Sequence, residues 1–280
     1  LRGFRGVGKT TLLLQLFNEY RDKAIYFSMD SPLIMETSLY ELCRQLIENG
    51  YELLLIDEVH KYPDWRRDLK AIHDEFPNAY FVASGSASAA LIPERREYAI
   101  DINQMSFREF LFLKYDWNME IFNDWFDYKK SLEAVAKYSP GIEAKFNEYL
   151  QVGGFPIALD HGLEETKKAI YASIRKAIYE DSTSILKMDN EKILAMNRIL
   201  IFLATSTPGS LSINTLASLT EQSKTVIYEI LDALQKMKII RIVRPYALGA
   251  KLVRGSPKML FYHPNMRYAI CAESVSYTHL

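Results

Sequence analysis

Residues 3–10, Gly3-Phe4-Arg5-Gly6-Val7-Gly8-Lys9-Thr10, fit the pattern G-x-x-x-x-G-K-[ST] of a phosphate-binding P-loop. Its glycines let the main chain curl, so that successive N–H groups point into one concavity. Lys9 can reach the β- and γ-phosphates, and Thr10 offers a hydroxyl to Mg²⁺. The helix that begins here directs its positive N-terminus towards the anion. A glycine-rich turn before a helix is the alternative. The residues predicted to contact the nucleotide are Gly3, Phe4, Arg5, Gly6, Val7, Gly8, Lys9, Thr10 and Thr11.

A second stretch, Leu53-Leu54-Leu55-Ile56-Asp57-Glu58, follows the P-loop by about fifty residues. Four consecutive apolar residues predict a strand that is buried on both faces, as in a parallel sheet. The two acids lie at its carboxyl end, where open α/β sheets bind their ligands. We expect Asp57 to hold Mg²⁺ together with Thr10, and Glu58 to orient the attacking water. Two solvated loop acids after a core strand are the alternative.

Composition indicates a globular chain with room for two domains. It has 280 residues, of which 49% are hydrophobic and 25% are charged. No apolar run approaches the ~20 residues that span a bilayer, so we expect no membrane segment. Cys43 and Cys271 stand far apart without metal-ligand spacing, which favours a reducing cytoplasm. The five histidines form no ligand pattern either.

Charge is distributed unevenly along the chain. Residues 185–270 contain twelve basic and five acidic residues, a net charge of +7 in a chain whose total is −1. A basic C-terminal third suggests an anionic partner such as double-stranded DNA. A solvated basic surface is the alternative.

Strand and helix patterns alternate through the N-terminal part, with strands predicted at 24–29, 53–56, 79–83 and 98–102. This alternation predicts the parallel three-layer α/β core of a P-loop NTPase, at residues 1–104. A P-loop normally follows a buried strand, yet only Leu1 and Arg2 precede Gly3. We therefore expect the first strand to be truncated, and the loop to lack part of its anchor.

Residues 105–185 are predicted to form a helical lid or linker. Ser106-x-x-Glu109 is a capping box that begins a helix. Aromatic residues are dense between 112 and 128 and predict a packing core, with base stacking on single-stranded nucleic acid as the sharper alternative. Gly153-Gly154 permits a close backbone approach, either to nucleotide or to another helix.

Residues 186–270 follow the order helix, helix, helix and hairpin, which is typical of a winged-helix domain. The second helix of such a motif enters the major groove with its N-terminal residues towards the bases. A module that packs only on a protein is the alternative. Residues 271–280 match no pattern and are assigned to a non-native or disordered tail. The residues expected at the helix end are Gln222, Ser223, Lys224, Thr225 and Tyr228, and those on or near the wing are Arg241, Arg244, Lys251, Arg254 and Lys258.

The order of these motifs resembles the AAA+ superfamily, and more narrowly the prokaryotic AAA-type ATPases of the AAA_14 kind whose core precedes a DUF4143-like region. The resemblance implies a polar sensor residue after the fourth strand, for which Ser84 is the first candidate and Ser86 the second. It also implies an arginine that faces phosphate; Arg95 and Arg96 are near that place, although Glu94 replaces the usual glycine. The stretches that carry the resemblance are residues 5–13, 57–61, 84–86, 106–110 and 153–156.

The resemblance implies an ATP- and Mg²⁺-dependent ATPase that couples hydrolysis to a C-terminal winged helix. In this hypothesis Lys9, Glu58 and Ser84 are catalytic, while Thr10 and Asp57 hold the metal. The alternative is a nucleotide-gated DNA-binding regulator with little turnover. A helicase is disfavoured, because the remainder of the chain leaves no room for a second RecA-like domain. Double-stranded DNA, a protein partner and a homo-oligomer all remain open.

Overall fold

The computed structural model describes residues 1–35, 37–85, 97–117, 127–137, 141–184, 188–207, 212–244, 246 and 257–276. The chain divides into two compact units, Leu1–Asn103 and Gln104–Leu280. None of the described helices is both long enough and apolar enough to cross a bilayer.

The N-terminal unit is built on a parallel sheet. Strands β1, β2 and β3 lie in that order, and Ser28 is in register with Asp57. The parallel three-layer core is thereby confirmed. The elements are α1 (Lys9–Glu19), β1 (Ala24–Ser28), α2 (Pro32–Met35), α3 (Leu39–Glu48), β2 (Leu53–Asp57), α4 (Trp65–Glu75) and β3 (Tyr80–Ala83).

Alternate side chains of the strands enter two apolar clusters, one on each face of the sheet. On one face Leu55 packs with Leu13 of α1, and on the other Leu54 and Ile56 pack with α3 and α4. Because both faces are covered, β2 is apolar at every position until Asp57. This layering brings the first polar residue of β2 to the carboxyl edge of the sheet.

Residues that flank the P-loop extend the sheet beyond β3. Arg2 forms parallel bridges with Gly85 on one side and with Asp101 on the other. The Arg2 guanidinium also binds the Asp101 carboxylate through two hydrogen bonds, of 2.8 and 2.9 Å. Where the sequence predicted a strand over 98–102, the structure has this single bridge at Asp101. The P-loop therefore begins between β3 and the segment around Asp101.

The C-terminal unit is mainly helical. The predicted capping box is present: Glu109 N donates to Ser106 Oγ, and Ser106 N donates to Glu109 Oε2. Its first elements are α5 (Phe107–Tyr115), α6 (Tyr128–Ala136), α7 (Ile142–Glu148), a π-helical turn (Tyr149–Gly153), a 3₁₀ turn (Pro156–Leu159), α8 (Leu163–Lys176), a second π-helical turn (Ala177–Asp181) and α9 (Ser182–Ser184).

Three capped helices and a hairpin follow. Asp189, Ser212 and Ser223 each accept a hydrogen bond from the backbone N–H three residues later, which satisfies a free donor at each helix start. The elements are α10 (Asn190–Thr205), α11 (Ile213–Thr220), α12 (Lys224–Lys236), β4 (Ile240–Val243), β5 (Lys258–Phe261) and α13 (Pro264–Ser276). The two strands pair antiparallel, and α10 packs against both α11 and α12.

The C-terminal helix differs from the sequence expectation. Residues 271–276 continue α13 and are helical, although the sequence analysis assigned 271–280 to a tail; 277–280 lie outside the described residues. The Cys271 thiol donates to the carbonyl oxygen of Ala204, and Arg267 Nε donates to the same oxygen. These contacts attach α13 to the end of α10, where carbonyl groups lack partners within the helix.

Candidate functional site

The predicted P-loop curls at its glycines. Gly6 and Gly8 have φ of 79° and 98°, in the left-handed region that side chains with a Cβ rarely adopt. A Cβ at Gly3 would collide with the carbonyl oxygen of Ile102, so this position requires a close backbone approach. Phe4 and Val7 are buried and anchor the loop, while Thr10 and Thr11 are exposed at the start of α1. Glycine thus stands where the backbone geometry requires it.

Lys9 lies across this loop and is only 5% exposed. Its ammonium group donates to the carbonyl oxygens of Gly3 and Phe4, at 3.0 Å each. These two bonds hold the charge of Lys9 against the main chain of the loop.

Asp57 joins the P-loop helix to the sheet. Thr10 Oγ1 donates to Asp57 Oδ2 over 2.7 Å, and the Glu58 backbone N–H donates to Oδ1 over 3.1 Å. The Ser84 hydroxyl also donates to Oδ1, from the end of β3. Three residues chosen from the sequence, Thr10, Asp57 and Ser84, are therefore in direct contact. Oxygen donors of this kind suit Mg²⁺, which proteins usually hold with few side chains plus the phosphates of the substrate.

Tyr26 is a member of this cluster that the sequence analysis missed. Its hydroxyl donates to Asp57 Oδ2 over 3.0 Å. Burial, together with the neighbouring Asp57 carboxylate, raises the pKa of Tyr26 to about 12, so the phenol keeps its proton at neutral pH. The signal in the sequence was weak, because a tyrosine in an apolar strand normally indicates packing.

Glu58 follows Asp57 with φ 50° and ψ 38°, a left-handed conformation that is uncommon for a residue other than glycine. A hydrogen bond from Val59 N to the Ser84 carbonyl oxygen holds the chain immediately after it. The Glu58 carboxylate lies 3.4 Å from Nδ1 of His60, whose side chain is buried. The backbone thus turns Glu58 away from the strand direction of Asp57.

Of the two sensor candidates, Ser84 is fully buried and bonded to Asp57. Ser86, Arg95 and Arg96 lie outside the described residues. Within the described ranges, no group of three or more His, Cys, Asp or Glu side chains could hold a metal by itself.

The double glycine packs within the C-terminal unit. A Cβ at Gly153 would come within 2.7 Å of the Tyr149 ring, and one at Gly154 within 2.5 Å of His263. Asn265 Oδ1 accepts a hydrogen bond from Gly154 N, while its Nδ2 donates to the carbonyl oxygens of Tyr149 and Leu150. These contacts account for the close approach that the sequence left open.

The residues predicted at the start of α12 are mostly accessible. Lys224 and Thr225 are exposed, Tyr228 is 59% exposed, and Ser223 caps the helix. Acids on the same helix are paired, Glu229 with Lys192 at 2.7 Å and Asp232 with Lys236 at 2.6 Å. Among the predicted wing residues, Arg241, Arg244 and Lys258 are exposed, whereas Lys251 and Arg254 lie outside the described residues.

Two parts of the chain match two different protein families. Residues 1–111 match the AAA_14 family, described as an AAA domain. Residues 143–273 match DUF8612, a domain of unknown function, where the motifs suggested a DUF4143-like region.

A relative in Methanocaldococcus jannaschii, named uncharacterized protein MJ1637, is 31% identical over 283 aligned positions. The match covers 93% of this chain and 59% of that relative, so the chain spans somewhat over half of its length. A solved structure of the replication initiator DnaA, bound to AMPPCP and single-stranded DNA, is 15% identical at a TM-score of 0.31, covering 85% of this chain and 82% of that one. The loop of residues 3–10 and the acids at the end of β2 both lie within residues 1–111, the part of the chain that matches the AAA domain.

Proposed function

We propose that the N-terminal unit binds ATP with Mg²⁺ and hydrolyses the bond between its β- and γ-phosphates. The hydrogen bond of 2.7 Å between Thr10 and Asp57 is the observation that carries this proposal. It joins the first turn of the P-loop helix to the acid at the neighbouring strand end, and these are the two groups that bind the metal in P-loop NTPases. ATP, rather than another nucleotide, is inferred from the AAA family.

Each side chain has a role that its position supports. The loop N–H groups and Lys9 would bind the phosphates once the ammonium exchanges the carbonyl oxygens of Gly3 and Phe4 for phosphate oxygens. Thr10 and Asp57 would hold Mg²⁺, which neutralises charge on the phosphates when it is bound. The unit would thereby place the γ-phosphate at the carboxyl edge of the sheet.

Glu58 is the proposed base or water-positioning residue. It is next to Asp57 in sequence, and its left-handed backbone turns the chain out of the strand direction immediately after that residue. Ser84 is proposed to act through Asp57, since its hydroxyl is already bonded to that carboxylate. This contact gives the sensor residue a route by which it would register changes at the metal.

The test separates binding from turnover. Glu58→Gln should bind ATP as the wild type does, because only the water-orienting carboxylate is lost. Its rate of ATP hydrolysis should be lower than that of the wild type by a factor of about 100 or more. Glu52→Gln is the matched control, since Glu52 forms an exposed ion pair with Lys23 in the same unit. Wild-type turnover in Glu58→Gln would remove Glu58 from the mechanism. A wild-type chain that binds no ATP in the presence of Mg²⁺ would end the proposal.

We further propose that α10 to β5 form a winged-helix module that contacts double-stranded DNA and responds to nucleotide. Two observations favour this second function: the order of three helices and a hairpin, and the exposed Lys224, Thr225 and Tyr228 at the start of α12. The pairing of Glu229 and Asp232 with lysines reduces the repulsion that these acids would exert on phosphate.

Binding of labelled duplex DNA, measured by anisotropy over a range of salt, tests this function. Lys224→Ala should weaken binding and reduce the salt slope by about one. Lys236→Ala, on the same helix but paired with Asp232, is the control and should change binding less. Equal effects of the two variants would contradict the assigned surface. If the chain binds no duplex DNA either with or without ATP, the DNA-binding proposal is wrong, and a protein is the remaining candidate partner of the module.

A further inference from the structure

Tyr26 places a hydroxyl on the carboxylate that is expected to hold the metal. We propose that Tyr26 is a positioning residue for the magnesium–nucleotide complex, an inference that rests on the proposed function. Tyr26 fixes Asp57 so that the Thr10 hydroxyl keeps its lone pairs for the metal. No sequence motif assigns this role to a residue in β1.

The Asp57 carboxylate fixes the direction of the hydrogen bonds that it shares with Thr10 and Tyr26. A carboxylate only accepts, so Thr10 and Tyr26 both donate their single hydroxyl proton to Asp57 Oδ2. A threonine hydroxyl that has donated its proton still has two lone pairs to offer to a cation. The orientation of Asp57 therefore decides in which direction Thr10 presents those lone pairs.

Donors from separate parts of the N-terminal unit hold Asp57 in that orientation. Among the described residues its four donors come from four places: α1 (Thr10), β1 (Tyr26), the chain after β2 (Glu58) and the end of β3 (Ser84). Each oxygen accepts two bonds, which uses the roughly four acceptor positions of a carboxylate, so Asp57 would take part in metal binding by exchanging one of these donors. Tyr26 is the only one of these four that the proposed function does not otherwise use.

The register of β1 and β2 explains why a tyrosine stands at this position. Tyr26 is in register with Leu55, two residues before Asp57 on the same face of the sheet. Two residues of strand span about 6.6 Å, a distance that a phenol can bridge and that a serine or threonine cannot. The ring packs with the apolar cluster that contains Leu13 and Leu55, so packing fixes its direction. A phenylalanine would keep this packing and lose only the hydrogen bond.

The test measures how the binding of a fluorescent ATP analogue depends on Mg²⁺ concentration. Tyr26→Phe should require about tenfold more Mg²⁺ for half-maximal binding, a typical effect when a residue behind a metal ligand is removed. Binding of the analogue in EDTA, without metal, should stay within about twofold of wild type, because the loop and Lys9 are unchanged. This difference separates positioning of the metal ligand from a general loss of structure.

Tyr62→Phe is the matched control. Tyr62 also donates to a buried carboxylate, Asp68 Oδ2, over 2.8 Å, but it packs on the other face of the sheet, in the cluster with α3 and α4. It should leave the Mg²⁺ requirement at the wild-type value. An equal shift in both tyrosine variants would assign the effect to stability and overturn the proposal.

The remaining outcomes distinguish the inference from the function on which it rests. If binding to the wild type depends on Mg²⁺ and Tyr26→Phe needs the same Mg²⁺ concentration for half-maximal binding, the role of Tyr26 is overturned. The proposed nucleotide site is then unaffected. A wild type that binds no analogue would overturn the proposed function itself. If Tyr26→Phe does not fold, Tyr26→Met repeats the test with an apolar side chain, and failure of both to fold would assign Tyr26 to packing alone.

Discussion

Two buried polar residues, Asp57 in the N-terminal unit and Asn265 in the C-terminal unit, use their hydrogen-bonding groups with different kinds of partner. Asp57 accepts from three side-chain hydroxyls and one backbone N–H. Among the described residues, the Asn265 side chain bonds to three backbone groups, those of Gly154, Tyr149 and Leu150. A hydroxyl can rotate and take a new partner, whereas a backbone group in a helical turn cannot. The first arrangement suits ligand exchange and the second suits a permanent connection between segments.

The largest effect on stability is expected from Asn265→Ala. It leaves one buried N–H and two carbonyl groups without their partner, at about 1–3 kcal/mol each, so the C-terminal unit should lose at least about 3 kcal/mol. Urea unfolding combined with hydrogen exchange, which reports each unit separately, measures this loss. Asn147→Ala, on the exposed side of α7, is the control and should change little. A loss below about 1 kcal/mol would show that these bonds are not a structural connection.

Acid should weaken the same connection through His263, which lies beside Asn265. Burial lowers the pKa of His263 from 6.5 to about 4. Between these values the unfolded chain binds a proton that the folded chain does not, so stability falls as pH falls through this window. From pH 7 to pH 5 the loss should be about 2 kcal/mol.

His263→Gln should remove this part of the pH dependence of unfolding, while His161→Gln, at an exposed position, should retain it. Parallel pH profiles for wild type and His263→Gln would mean that the pKa of His263 is the same in the folded and the unfolded chain.

Gly154→Ala should have a smaller effect of about 1–3 kcal/mol, because its methyl group would meet His263 and Asn265 at 2.5 and 2.6 Å and the packed segment must move. At Gly162, by contrast, an added Cβ meets nothing within 4 Å. Gly162→Ala should therefore change stability by no more than about 0.5 kcal/mol. Thermal unfolding of the two variants compares them directly, and similar melting temperatures would refute the close approach.

The smallest effect on stability is expected at the Asp57 cluster. Thr10→Val removes one of four donors at an exposed position, so unfolding should change by less than about 1 kcal/mol. Mg²⁺-dependent ATP binding should nevertheless weaken at least tenfold, because the hydroxyl is a proposed metal ligand. Thr37→Val, an exposed threonine of the same unit, is the control for both measurements. If Thr10→Val were as destabilising as Asn265→Ala, the distinction between exchangeable and permanent contacts would be lost.

Local signals allowed much of the N-terminal unit to be predicted from sequence. Helix α3 spans the predicted Leu39–Glu48, because its apolar periodicity is strong and Gly50, with φ 98°, ends it. The contact between Thr10 and Asp57 was also expected, since parallel strand ends share one edge. Such features depend on a few consecutive residues.

Features that depend on register could not be predicted in this way. Tyr26 reaches Asp57 only because Ala24 pairs with Leu53, and the sequence does not state which residues of two strands are opposite. For the same reason the segment 98–102 was predicted as a full strand, although only Asp101 forms a bridge. The close contact between Gly154 and His263 could not be predicted either, because the two residues are more than a hundred positions apart in the chain.

The position of Lys9 has a consequence for how this loop would respond to salt. Its ammonium already satisfies two carbonyl oxygens, so an arriving anion must displace short internal contacts instead of filling an unused charge. Added salt screens the long-range attraction that draws the anion in, and it weakens buried contacts much less. Rising ionic strength should therefore favour the self-bonded loop, and nucleotide affinities at this site are comparable only at equal salt.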